Sequence, residues 1–215
     1  MVNTVITIPH GVMRVLNCDW QIDWRSQSAG EGVDGGEQIF ASPFPRWIGS
    51  PQLVLEGEAL RLWRATRARA RGRVNVYRVP FLERDGVPTP YGQSDSLGQP
   101  LRGDYGDGPT AVLASNAAAG GVQITVTEGF YPAREGSFIS IADWPYIVVG
   151  RVRAGSNWRL TIEMPLRRAA VAGAVVNLCA HGLFRATDDL MGNPAFGVDG
   201  LSTPELSFAE WITRP

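Results

Sequence analysis

The residues best suited to chemistry in this sequence are arginines, and six of them fall between Arg61 and Arg73. They lie in the stretch EALRLWRATRARARGR, residues 58–73, and all 20 basic residues of the 215-residue chain are arginine. A guanidinium group binds carboxylates and phosphates through paired, planar hydrogen bonds. The segment could therefore bind nucleic acid, or it could pair with carboxylates on a neighbouring subunit.

The charge balance of the chain favours pairing with a neighbouring subunit. The 20 arginines face 21 acidic residues, and the formal net charge is −1. A DNA-binding domain usually carries a wide basic surface and an excess of positive charge. We therefore predict that Arg61, Arg64, Arg67 and Arg71 form a stripe at a subunit interface, where they meet carboxylates of the next copy.

Other reactive residues give weaker indications of a site. Neither His10 nor His181 lies beside a sequence typical of a nucleophile. The adjacent acids Asp188 and Asp189 could bind a metal, but such pairs are more often part of a turn. The glycine-rich GDYGDG, residues 103–108, lacks the preceding strand and the lysine of a phosphate loop. We expect no enzymatic activity, no cofactor and no metal site.

The seven tryptophans could instead form a sugar-binding face. They include Trp20, Trp24, Trp47, Trp144 and Trp158. Aromatic residues at alternating strand positions usually belong to the core, and tryptophan is also enriched at protein interfaces. A carbohydrate- or receptor-binding module therefore remains the alternative from another functional class.

A single helix at about residues 57–71 would position the arginines. Acidic residues precede it and arginines crowd its end, in agreement with the helix dipole, and Gly72 can adopt the left-handed conformation that ends a helix. The helical repeat predicts one apolar face, formed by Leu55, Ala59, Leu62, Trp63, Thr66 and Ala70. The arginine stripe lies beside this face.

The rest of the chain predicts a mainly β protein. Residues 4–9 and 73–82 alternate as strands do, and residues 28–38 are typical of a glycine-rich turn or flexible loop. Residues 84–109 lack periodicity and predict a linker loop. Residues 110–180 contain five short β-like runs with turn residues between them, which predicts a small antiparallel barrel or sandwich. The chain has no run of ~18 apolar residues, so we expect no membrane span.

The order of these elements resembles the distal tail proteins and other tail-tip structural proteins of long-tailed, siphovirus-like phages and gene-transfer particles. The resemblance rests on GGEQIFASPFPRWIG (residues 35–49), which leads to the helix and to RGRVNVYRVPF (residues 71–81). The module that follows contains GSFISI, WPYIVV and MPLRRAA (residues 164–170), a succession that resembles β-modules of phage virion proteins.

The resemblance implies both a domain plan and a role. A tail-tube-like β-sandwich with one flanking helix would comprise residues 1–83 and 181–215, and residues 110–180 would be an inserted β-module. The protein would form a ring, a homohexamer in most such proteins, that joins the tail tube protein to the baseplate hub protein. DNA would cross the ring only as passing cargo. The protein would belong to the virion tail tip after synthesis in the host cytoplasm.

Ring formation requires that two different surfaces of one subunit fit each other. Arginines on the helix and acids in residues 31–37 or 102–108 would suit such head-to-tail pairing. Another tail-tube or terminator component remains an alternative within the same class of protein.

Overall fold

The computed structural model describes residues 3–9, 12–13, 15–17, 19–31, 34–40, 42, 44–81, 110–129, 131–195, 197–198 and 200–214. The predicted linker at 84–109, the acids of residues 102–108 and His10 lie outside these ranges. The described residues form one helix, α1 (Gly57–Ala70), and strands that we number in chain order.

The strands before and after the inserted module are β1 (Val5–Thr7), β2 (Val15–Asn17), β3 (Trp20–Asp23), β4 (Gln27–Glu31), β5 (Glu37–Phe40), β6 (Arg46–Gly49), β7 (Gln52–Leu53), β8 (Val76–Pro80), β15 (His181–Ala186) and β16 (Phe208–Glu210). The strands of the module are β9 (Thr110–Leu113), β10 (Gln123–Glu128), β11 (Phe138–Ile141), β12 (Trp144–Ala154), β13 (Asn157–Ile162) and β14 (Val175–Asn177).

The main sheet has six strands in the order β1-β8-β15-β16-β6-β3. The pair β1–β8 is parallel, and the other pairs are antiparallel. One face is covered by aromatic rings. Trp20 stacks on Phe81 with centroids 4.4 Å apart, and Tyr77 meets Phe208 edge to face at 5.4 Å. Such contacts add to the free energy gained by burying large apolar surfaces.

The inserted module is a closed antiparallel barrel of six strands, in the order β10-β13-β12-β11-β14-β9. Its interior is filled by alternate aliphatic side chains, as expected when one face of each strand is buried. These include Leu113, Ile124, Val126, Ile139, Val148, Leu160, Ile162 and Val176. The prediction of a mainly β protein with one flanking helix and an inserted barrel is confirmed. Six strands replace the five β-like runs expected from the sequence.

The barrel is attached to the main sheet at two neighbouring strands. The chain leaves the sheet after β8 and returns at β15, which pairs with β8 in antiparallel register, His181 opposite Pro80. The backbone N–H of Phe81 also donates to the carbonyl of Ala180 at 2.8 Å. The end of β8 and the start of β15 therefore lie side by side, and the sheet stays continuous across the insertion.

Of the turn or flexible loop predicted for the glycine-rich residues 28–38, the structure shows a turn, which lies within a hairpin. Strands β4 and β5 pair as an antiparallel hairpin, with a bulge between Ser28 and Glu31. Gly35 and Gly36 form part of its turn, and Gly35 has a φ of 75°, which glycine adopts without strain. Glycine thus supplies the turn of a hairpin here, a role that composition alone does not distinguish from a flexible loop.

A buried ion pair joins the barrel to the main sheet. The guanidinium of Arg167, which follows β13, donates to the carboxylate of Glu210 in β16 at 3.2 Å. Their side chains are 9% and 1% exposed. The carboxylate also accepts the backbone N–H of Trp47 at 3.0 Å, and Arg167 donates to the carbonyl of Pro45. Burial raises the pKa of Glu210, while Arg167 acts in the opposite direction.

A second polar cluster lies at the same junction. Asp143, in the tight turn between β11 and β12, accepts from Arg78 of β8 at 3.0 Å. Its carboxylate lies 2.6 Å from Nε2 of the buried His181. Burial opposes ionisation of Asp143, but the hydrogen bond from His181 and the charge of Arg78 outweigh it and lower its pKa from 3.8 to about 2. The ion pair between Arg78 and the ionised Asp143 therefore stabilises the fold above pH ~4. This contribution is lost as the pH falls toward 2 and Asp143 takes up a proton.

We expect Arg167→Met to lower the free energy of unfolding by about 3–5 kcal/mol, because it leaves the carboxylate of Glu210 buried without its counter-charge. Adding Glu210→Gln should recover part of this loss, since no charge then remains buried. Urea unfolding measures both changes, with Arg159→Met, at an exposed position of the barrel, as the control. Equal losses of unfolding free energy in the single and double variants would contradict the role of Arg167 as the counter-charge of Glu210.

Candidate subunit interface

Local sequence explains why α1 begins and ends where it does. Glu58 lies in the first turn, and Arg67 and Arg69 lie in the last, so charged side chains oppose the helix dipole at both ends. Arg71 itself takes the left-handed conformation, with φ 53° and ψ 50°, and its N–H donates to the carbonyl of Arg67 at 3.2 Å. The left-handed turn that was expected at Gly72 therefore begins one residue earlier, although Gly72 also has a positive φ of 64°.

The buried face of α1 differs from the predicted one in that Leu60 is buried in place of Leu62, and Ala59 is only half-buried. Leu60, Trp63, Thr66 and Ala70 are buried, whereas Leu62 is 36% exposed. Trp63 is fully buried and sets the orientation of the helix, which places Leu60, three residues earlier, on the same side. Leu55 is buried before the helix begins, in a bridge to Ser202.

Trp63 fixes the helix against the loop that follows β15. Its indole Nε1 donates to the carbonyl of Gly192 at 2.7 Å. Gly192 has a φ of 65°, and a Cβ at this position would lie 2.6 Å from both the Trp63 ring and Leu206. Only glycine fits this position without displacing a neighbour.

Arg67 is used within the chain. Its Nε donates to the carbonyl of Met191 at 3.0 Å, and its terminal nitrogens donate to the carbonyl of Leu190 and to the side chain of Asn193 at 3.3 and 3.4 Å. Of the four predicted interface arginines, Arg67 therefore holds the loop of residues 188–193 on the helix. The pattern of arginines gave no sign of this role, because the loop lies more than a hundred residues away in sequence.

The adjacent acids Asp188 and Asp189, weighed above as a metal site or a turn, belong to the same loop. Asp188 accepts the backbone N–H of Leu190 at 3.0 Å, the turn contact expected of such a pair. Asp189 accepts from the backbone N–H of Arg73 at 3.0 Å and from its guanidinium at 3.2 and 3.3 Å. The side-chain hydrogen bond is the main cause that lowers the pKa of Asp189 and raises that of Arg73.

Arg61, Arg64 and Arg71 lie exposed on the outer side of the helix. In the part of the chain that the structure describes, the guanidinium groups of Arg61 and Arg71 contact no partner. Arg64, Arg67 and Arg71 line a groove of about 510 Å³ between α1 and the 189–194 loop, with Ala68 among its lining residues. We call this surface, comprising Arg61, Arg64, Ala68 and Arg71, the arginine face.

A second groove, of about 620 Å³, lies on the other side of Ala68. Arg69 and Arg71 contribute charge to it, and Ile6 and Val74 contribute apolar surface. Asp189 is the one acidic side chain in the lining of either groove, and it is already paired with Arg73. The arginine face and its two grooves therefore form a positively charged surface suited to carboxylates or other anions.

The remaining candidates have contacts of their own within the chain. His181 is buried between Asp143 and Arg78. The guanidinium of Arg214 lies 3.4 Å from the ring centroid of Trp144, and that of Arg151 lies 3.4 Å from the centroid of Trp158. Among the described residues, no group of three or more His, Cys, Asp or Glu side chains could hold a metal ion. No helix in that part of the chain is long and apolar enough to cross a membrane.

Comparison with protein-family models finds no match to this chain, and comparison with curated proteins finds none either.

We expect Gly192→Ala to lower the free energy of unfolding by about 1–3 kcal/mol more than Gly155→Ala, because only the first adds a methyl group to a filled space. The two glycines have φ values of 65° and 66°, and a Cβ at Gly155 would meet nothing within 4 Å. The control therefore carries the same backbone strain without the clash. Equal losses of stability in urea unfolding would show that Trp63 does not fix this loop.

Proposed function

We propose that this protein is a structural component of a phage tail tip, where it forms a ring between the tail tube and the baseplate or hub around the DNA channel. The observation that carries the proposal is the arginine face, which exposes the guanidinium groups of Arg61 and Arg71 without a partner in the described chain. A chain of net charge −1 has no general attraction for polyanions. A local positive surface on such a chain fits a specific, acidic protein partner better.

The architecture supports the same proposal. The chain forms a mainly β unit with one helix, and a barrel is inserted between two adjacent strands of its sheet. This arrangement agrees with the domain plan that the resemblance to distal tail proteins implies. The helix lies on the outside of the main sheet's unit, with its apolar side buried and its arginine face open. A subunit in a ring needs such a rigid, outward surface for its neighbour.

A structural rather than enzymatic role is part of this proposal. Asp189 is ion-paired with Arg73, and His181 is buried against Asp143 and Arg78, so the residues that chemistry would require are engaged in holding the fold. The guanidinium groups over Trp144 and Trp158 occupy ring surface that a sugar would stack on, which weighs against the carbohydrate-binding alternative.

Native mass spectrometry and negative-stain imaging of the concentrated protein test this proposal. We expect closed rings, of six subunits by the resemblance, with a central hole wide enough for DNA. Raised salt should weaken the assembly, because exposed ion pairs are screened. A protein that stays monomeric at every concentration, or that forms only two-fold dimers, would contradict the proposal.

A further inference from the structure

The hairpin of β4 and β5 is the most exposed regular structure in the described chain. Every described residue from Trp24 to Phe40 is exposed, including all the residues of both strands. Ile39, Phe40 and Phe44 are 63%, 57% and 60% exposed. We call the hairpin and Phe44 the arm. An isolated two-stranded ribbon is marginally stable in water, so large apolar side chains on it indicate a surface that becomes covered.

The charged side chains of the arm are acidic, and they repel each other. Glu31 and Glu37 are directly opposite in the hairpin register, and Asp34 lies in the turn between them. Like charges directly across a strand pair destabilise it. Residues 26–45 contain no arginine, so this segment supplies no cation of its own. A cation brought by a partner would relieve the repulsion between the two glutamates.

We propose that the arm docks on the arginine face of a second copy of this chain. The inference rests on the proposed ring and names the two surfaces that would join its subunits. Each copy carries one acidic arm and one arginine face, so each contact leaves the other surface of both copies free for a further neighbour. Such a heterologous contact continues from copy to copy until a ring closes.

The dimensions of the two surfaces agree. Arg64 and Arg71 are seven residues apart, which places them about 10 Å apart along the helix axis. The small side chain of Ala68 lies between them and borders both grooves, so an approaching strand meets little obstruction there. The paired strands of a hairpin are ~4.8 Å apart, so Glu31 and Glu37 fit between the two guanidinium groups.

The apolar part of the arm also has a counterpart. Val74 is 48% exposed and, with Ile6, borders the second groove. Ile39 and Phe40 would be buried against these side chains when the glutamates reach the arginines. A contact that combines a desolvated apolar centre with charged pairs around it is typical of specific protein interfaces.

Two charge-reversed variants of the full chain test the docking. One carries Glu31→Arg and Glu37→Arg, and the other carries Arg64→Glu and Arg71→Glu. Each variant alone places like charges at every contact, so we expect self-association to weaken by roughly 100-fold or more. In a 1:1 mixture, every contact between unlike variants is again between opposite charges. The mixture should therefore assemble into alternating rings, as measured by sedimentation velocity and native mass spectrometry.

Arg134→Glu with Arg159→Glu serves as the matched control for the variant with Arg64→Glu and Arg71→Glu, because it makes the same change in net charge at exposed positions of the barrel. We expect this control to assemble as the unmodified protein does, and thermal unfolding should confirm that all variants are folded. Assembly of either reversed variant alone, or no recovery in the mixture, would overturn the docking.

The same experiment separates this inference from the proposed function. Rings that form regardless of the charge reversals would overturn the docking and leave the ring itself supported. Recovery of association in the mixture as open chains without a central hole would support the docking and overturn the ring. An unmodified protein that never self-associates would overturn both.

Discussion

The structure depends on one constraint, which is that β8 and β15 must be adjacent although the whole barrel lies between them in sequence. Their pairing, and the hydrogen bond from Phe81 to Ala180, keep the six-stranded sheet continuous. Burying charges at the junction is costly unless they are paired, and the pairs Arg167–Glu210 and Arg78–Asp143 meet that condition across the two units. The barrel can therefore be inserted without separating the strands that complete the sheet.

The same return of the chain creates the candidate interface. After β15, the loop of residues 188–193 contacts α1, where Trp63, Arg67 and Arg73 bind its carbonyls and Asp189. Two of the six clustered arginines are thus used to position the helix, and this leaves others directed to solvent. The exposed basic surface is a consequence of how the helix is held, and the groove beside it is formed by the loop that holds it.

The sequence predicted the helix, the β character and the barrel because each depends on local periodicity. The helix bounds agree closely, since acidic and basic residues mark its two ends. Contacts between distant segments could not be predicted in this way. Nothing near Arg67 or Arg73 indicates that they bind residues 189–193, and a glycine-rich segment such as 28–38 is compatible with either a loop or the observed hairpin. The division of the arginines into structural and exposed groups therefore required the tertiary structure.

The most direct test of the account is an electron cryomicroscopy reconstruction of the assembled protein. We expect a closed ring in which the hairpin of each subunit lies on the helix of the next, with Glu31 and Glu37 beside Arg64 and Arg71. A ring whose contacts are made by the barrels, with the helices left in solvent, would contradict it.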